Sequence, residues 1–194
     1  MTVLGVVADT HIPDRTRRLD NRIGDIFRTA GVDAILHAGD VSTPSVLREL
    51  SRIARVYTVR GNRDWVMLRH LPLSMQLSFG KVTVALTHGH GPWWTYLINR
   101  IDYMVGGYRE ELFQPRLVAE FPDVNVIVFG HTHWPYNQWV NGRLLFNPGS
   151  PHCPEGKANP PSVGLLKITA GGEVSGEILS LDTAREIRNE GPSG

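Results

Sequence analysis

The sequence predicts an α/β fold in four layers: two packed mixed β-sheets with helices on their outer faces. Three observations predict it. Short apolar runs and amphipathic stretches open the chain in β-α-β-α-β order, which implies parallel strands with right-handed crossovers. Those runs are apolar throughout, as in strands covered on both faces. The second half instead carries two-residue turn signals between alternating segments, which implies antiparallel hairpins.

Taken in order, VLGVVAD (Val3 to Asp9) reads as a buried strand ending in an acid. RLDNRIGDIFRTAG follows with Leu19, Ile23, Ile26, Phe27 and Ala30 at helical spacing and Gly31 as a stop. DAILHAGD is a second strand and again ends in an acid, Asp40. STPSVLRELSRIA predicts a helix with Thr43 as N-cap, Pro44 in its first turn and an apolar face of Val46, Leu47, Leu50, Ile53 and Ala54. RVYTVRGN is a third strand, ending in Asn62.

MQLSFGKVTVALTHGHG predicts a hairpin about Gly80-Lys81, its second strand ending at His88-Gly89-His90. PWWTYLINRIDYMV and YREELFQPRLVAEF predict helices, with Pro115 breaking or kinking the second. VNVIVFGHTH is another strand with polar residues at its end. NQWVNGRLLFNPGS predicts a hairpin around Asn141-Gly142, and SVGLLKITAGGEVSGEILSL one around Gly171-Gly172. Residues 183–194 form a polar tail expected to fray.

The 194 residues suit one domain spanning 1–194. The formal net charge of +1 argues against a nucleic-acid or membrane partner. Seventeen of the twenty basic residues are arginine, scattered along the chain, which reads as compositional bias rather than phosphate recognition. The one cysteine, Cys153, excludes an intrachain disulfide. No leader is legible, and no run approaches the roughly 20 apolar residues of a membrane span. A cytoplasmic location is the expectation.

The chemistry gathers at strand ends. In chain order these read Asp9-x-His11, Gly39-Asp40, Gly61-Asn62, His88-Gly89-His90 and Gly130-His131-x-His133. In open α/β sheets, ligands collect beyond the carboxyl ends of the strands. Imidazoles, carboxylates and one amide without thiolate suit divalent Mn, Fe, Zn or Co. Seven or more candidates exceed one tetrahedral shell and imply two metals. In extended chain, residues i and i+2 point to one side, the spacing shared by Asp9-x-His11 and His131-x-His133, and beyond the strand the loop can still present the imidazoles of His131 and His133 to neighbouring ions. His37 is expected to be packed and hydrogen-bonded, and His70, His152 and Cys153 to lie in loops. Trp93 or Trp94 is a candidate wall for a substrate pocket.

The ordered pattern D-x-H, G-D, G-N-x-D, H-G-H, G-H-x-H, with NPGS at Asn147 to Ser150, resembles the calcineurin-like metallophosphoesterase superfamily. It is most similar to the small single-domain YfcE/Vps29-like branch, and the motifs span Asp9 to Ser150. The resemblance implies the metallophosphoesterase fold and two divalent ions, manganese first, with Fe, Zn, Ni or Co as alternatives. It assigns Asp9, His11 and His133 to one ion, Asn62, His88 and His131 to the other, and Asp40 as the bridge. It implies in-line attack of a metal-bridging hydroxide on a small phosphate ester, with diesters the expected substrates. Superfamily alternatives are a phosphomonoesterase, a nuclease or a non-catalytic Vps29-like scaffold. One departure stands out: where many members have a histidine after the asparagine, this chain has Arg63. Arginine cannot serve as a proton donor. It can bind a phosphoryl oxygen or the leaving oxygen, with His90 or water as the acid.

Overall fold

The computed structural model of the chain describes residues 1–91, 110–153 and 159–182. The helix expected over 92–105, with Trp93 and Trp94, and the tail 183–194 lie outside them. Two five-stranded mixed sheets form the centre. The first is built from β1 (Thr2–Val7), β2 (Ala34–His37), β3 (Arg55–Thr58), β9 (Ser162–Ile168) and β10 (Val174–Ser180), in the order β10-β9-β1-β2-β3. The second is built from β4 (Ser74–Phe79), β5 (Val82–Thr87), β6 (Val126–Val128), β7 (Pro135–Val140) and β8 (Arg143–Pro148), in the order β4-β5-β6-β8-β7. β1, β2 and β3 run parallel, as do β5, β6 and β8; antiparallel hairpin strands form both edges of the second sheet and one edge of the first, whose other edge is β3.

Alternation along β1 explains the layering. Leu4, Val6 and Ala8 point inward and pack with Val84, Leu86, Val126, Val128 and Phe146 of the facing sheet. Val3 and Val7 point outward onto α1 (Asn21–Ala30) and α2 (Pro44–Leu50), where Ile23, Phe27, Val46 and Leu50 are buried. On the far side, Ile127 and Leu145 meet Leu117 of α3 (Glu110–Glu120). Because successive strand side chains face opposite ways, a strand covered twice is apolar at nearly every position.

The turns follow their residues. Gly80-Lys81 joins β4 to β5. Asn141 and Gly142 both take positive φ, 49° and 76°, the conformation a two-residue hairpin turn needs. Element ends differ from expectation. α1 starts after Asp20, whose carboxylate accepts from the Arg22 amide, so Leu19 lies before the helix. α2 stops at Leu50, and Ile53 and Ala54 reach the core from the turn beyond. Thr43 caps that helix in position only, making no side-chain bond to it. α3 runs through Pro115 without a break.

The inter-sheet space is full. A methyl at Gly164 would stand 2.5 Å from the ring of Phe146, which is wholly buried. Gly164→Ala is therefore expected to destabilise the fold by about 1–3 kcal/mol, the range for overpacking a closed core. Urea denaturation of the two proteins measures it. The paired change Gly164→Ala with Phe146→Leu should recover part of the loss.

Candidate metal centre

Every strand end singled out in the sequence comes to one edge of the two sheets. The loops after β1, β2 and β3 supply Asp9, His11, Asp40 and Asn62 from one sheet. The loops after β5 and β6 supply His88, His131 and His133 from the other. Asp9, His11, Asp40 and His88 are buried.

The side chains converge in two overlapping groups, Asp9 with His11 and His133, and Asp9 with Asp40 and His88. In the first, His11 Nε2 and His133 Nε2 lie 3.0 Å apart, and His133 Nε2 is 3.4 Å from Asp9 Oδ1. In the second, Asp40 Oδ1 is 3.5 Å from His88 Nε2. The other Asp40 oxygen, Oδ2, is 3.9 Å from His11 Nε2, so this carboxylate faces both groups. Asn62 Oδ1 joins the second, 2.9 Å from His88 Nε2 and 3.0 Å from His131 Nδ1.

His131 and His133 therefore face different groups. They do so from the loop beyond β6 rather than from extended chain. The reason is backbone conformation. Asp9, His11, Asp40, His131 and His133 all have φ between 48° and 70°. Non-glycine residues seldom occupy this left-handed region, which costs of order 1–3 kcal/mol each and clusters at functional sites.

Electrostatics favour a cation. Asp9 Oδ1 is buried and accepts no hydrogen bond. Burial opposes the charge on Asp9, yet His133, His88 and His11 around it hold its carboxyl well below the usual range. Burial and the neighbouring Asp9 and Asp64 charges push Asp40 up to about 6, against the pull of His88 and the Arg63 amide. Burial lowers His11 to about 4, and it drives His131 well below its ordinary value. At neutral pH these imidazoles present lone pairs, the form in which histidine binds metal. His88 is oriented for it: its Nδ1 donates to the Ala38 carbonyl at 2.8 Å, leaving Nε2 turned to the centre. A side chain at Gly61 would collide with the Asp40 carboxylate. The oxygen and nitrogen donors, the orphaned Asp9 oxygen and this close backbone approach all suit divalent ions.

The loops are held by polar residues that the sequence pattern did not single out for that task. Asp64 Oδ1 accepts from the Ser42 amide and Oδ2 from the Gly61 amide, both at 2.7 Å. It does not pair with Arg63. The Arg63 guanidinium reaches Asp14 Oδ2 at 3.5 Å, while its backbone amide donates to Asp40 Oδ1 at 2.8 Å. In NPGS, Asn147 donates to the Gly130 carbonyl at 3.0 Å, and the Ser150 hydroxyl donates to the Asp9 carbonyl at 2.8 Å. Their burial at a strand end beside glycine was the available signal. His37 is buried and its Nε2 meets the Thr10 hydroxyl at 3.2 Å. His90 lies beside the second group, its ring centroid 5.3 Å from that of His88, and burial lowers its pKa to about 4. His70 is exposed, and His152 and Cys153 lie in a loop. No helix among the described residues is long and apolar enough to cross a membrane.

Comparison with known proteins agrees with this geometry. A family model described as the calcineurin-like phosphoesterase superfamily domain matches residues 1–171. The Methanothermobacter thermautotrophicus protein named "Probable metallophosphoesterase" is 34% identical, over 91% of each chain. Phosphodiesterase YfcE of Escherichia coli K12 is 29% identical, over 75% of this chain and 78% of its own. The structure of Vps29 from Entamoeba histolytica complexed with Zn²⁺ superposes with a TM-score of 0.67 at 25% identity, covering 92% of this chain and 98% of that one. With its motifs gathered at one sheet edge and its family model spanning most of its length, the chain belongs to the calcineurin-like phosphoesterase superfamily.

Proposed function

We propose that the protein is a metal-dependent phosphodiesterase with a two-ion centre. Asp9, His11 and His133 hold one divalent ion, and Asn62, His88 and His131 hold the other. Asp40 serves both. The observation that carries this reading is the convergence of buried carboxylate and imidazole atoms, with Asp40 facing both groups. Divalent ions bound there supply an activated water nucleophile and neutralise charge on the phosphoryl oxygens. The protein's part is to hold the donors fixed and, by burial, to keep His11 and His131 unprotonated. His90 is neutral at pH 7 because burial lowers its pKa. It acts as a hydrogen-bond donor to a phosphoryl oxygen rather than as the acid for the leaving group. Arg63, held at the rim by Asp14, meets a second phosphoryl oxygen. With no side-chain acid at hand among the described residues, diesters with good leaving groups are the favoured substrates.

The test is hydrolysis of bis(p-nitrophenyl) phosphate and of p-nitrophenyl phosphate by protein stripped with a chelator and reloaded. Stripping is expected to abolish turnover. Mn²⁺ should restore it most fully among Mn²⁺, Fe²⁺, Co²⁺, Ni²⁺ and Zn²⁺, with the diester preferred. A chain serving only as a protein-binding scaffold would stay inert with every ion.

A further inference from the structure

The segments that leave the metal centre carry a charge pattern that the whole chain conceals. Pro13–Arg18 follows His11, and the Arg15 amide still donates to the His11 carbonyl at 2.9 Å. Arg60–His70 contains Asn62. The two meet where Arg63 reaches Asp14. Together they hold six arginines, Arg15, Arg17, Arg18, Arg60, Arg63 and Arg69, against Asp14 and Asp64. Asp64 is buried, with its carboxylate engaged by two backbone amides. The chain as a whole carries only +1, so positive charge is concentrated beside the site.

An aromatic platform accompanies the charge. Trp65 is 58% exposed, three residues beyond Asn62. The Arg60 guanidinium lies 4.4 Å from its ring centroid and is itself anchored to the Arg69 carbonyl at 2.9 Å. A single aryl diester or monoester has one phosphorus, which Arg63 can serve, and no use for the rest of the rim. A nucleic-acid strand offers phosphates on either side of the scissile one, which guanidinium groups suit. Its unstacked bases each present a face to an aromatic ring. A duplex keeps its bases stacked and leaves an exposed ring unused.

From this arrangement we infer that the substrate is a single-stranded oligonucleotide, with flanking phosphates on the arginine rim and one base on Trp65. The inference rests on the phosphodiesterase reading above and adds its substrate class.

The experiment measures fluorescence anisotropy of labelled thymidine oligomers, from two to about ten nucleotides, with metal-free protein. Wild type is expected to bind more tightly as the oligomer lengthens and more weakly as salt rises, with a slope of about −0.7 per phosphate neutralised. Trp65→Ala should weaken binding about 5- to 150-fold, the worth of one stacked base. A triple variant, R17Q with R18Q and R69Q, should lower the salt slope by about 2. Both variants should hydrolyse bis(p-nitrophenyl) phosphate as wild type does. Hydrolysis of that diester without length- and salt-dependent oligomer binding overturns the substrate inference alone. So does oligomer binding that both variants leave unchanged, or sedimentation with phosphatidylserine vesicles in place of oligomer binding. Failure of wild type to hydrolyse the diester with any of the ions overturns the phosphodiesterase reading and the inference with it.

Discussion

Asp40→Asn is expected to lower kcat/KM for an aryl phosphodiester by about 10²–10³-fold, while the metal-free variant is at least as stable as metal-free wild type. The two halves have one cause. Asp40 is a buried carboxylate facing His11 from one oxygen and His88 from the other. Without a cation it is unfavourably placed, and burial raises its pKa to about 6. Folding therefore makes ionisation harder. A folded pKa above the unfolded one means that the native state binds the extra proton as pH passes from about 4 to 6, so stability is lost as pH rises through that window. Asparagine has nearly the same shape, accepts the Arg63 amide bond as Asp40 does, and carries no charge to desolvate. It also cannot neutralise two ions. Thermal unfolding after chelation, metal content after reloading and kcat/KM together check the result. Wild-type activity in Asp40→Asn, or a marked fall in its metal-free stability, would reject the role assigned to this residue.

That trade between stability and function also explains what could be read in the sequence. Strands covered on both faces are apolar at nearly every position, so β1, β2 and β6 announced themselves. Their ends were equally plain, because Asp9, Asp40 and His131 interrupt such runs with groups that a core would reject. The hairpin at Asn141-Gly142 was legible because few residues take positive φ twice in succession. What escaped was conformation and pairing at the same edge. Nothing in His-Thr-His tells that both histidines adopt left-handed backbone. Nor does GNRD reveal that its aspartate serves two backbone amides while its arginine turns to Asp14. Backbone amides are the same at every position, so their partners emerge only when loops meet. The arginine rim escaped for a similar reason: its members lie on two segments far apart in sequence, and a whole-chain charge sums them with acids elsewhere.

Asp64→Ala is expected to be the most destabilising single change near the site, and Asp64→Asn to separate stability from activity. The carboxylate joins the loop that carries Asp40 to the loop that carries Asn62, through the Ser42 and Gly61 amides. Alanine leaves both amides without their acceptor. At roughly 1–3 kcal/mol for each unsatisfied buried donor, the loss is about 2–6 kcal/mol, a large share of the stability of an ordinary domain, about 5–15 kcal/mol. Asparagine keeps one acceptor and turns an amide N–H toward the other donor, so one bond survives and one becomes a donor–donor contact. The variant should fold with a lowered Tm. Activity should fall further than that, because the displacement bears on donors that need close placement: Asp40 and Asn62 both approach His88 Nε2, at 3.5 and 2.9 Å. Loss of a group that positions metal ligands lowers metal affinity or activity by about 10–100-fold. Titration calorimetry with Mn²⁺, run below the Tm of each variant, distinguishes the two effects. If Asp64 only stabilises the fold, Asp64→Asn binds Mn²⁺ as wild type does once folded. If it sets the spacing of the two loops, affinity falls while the protein remains fully folded, and that is the outcome the twin 2.7 Å bonds predict.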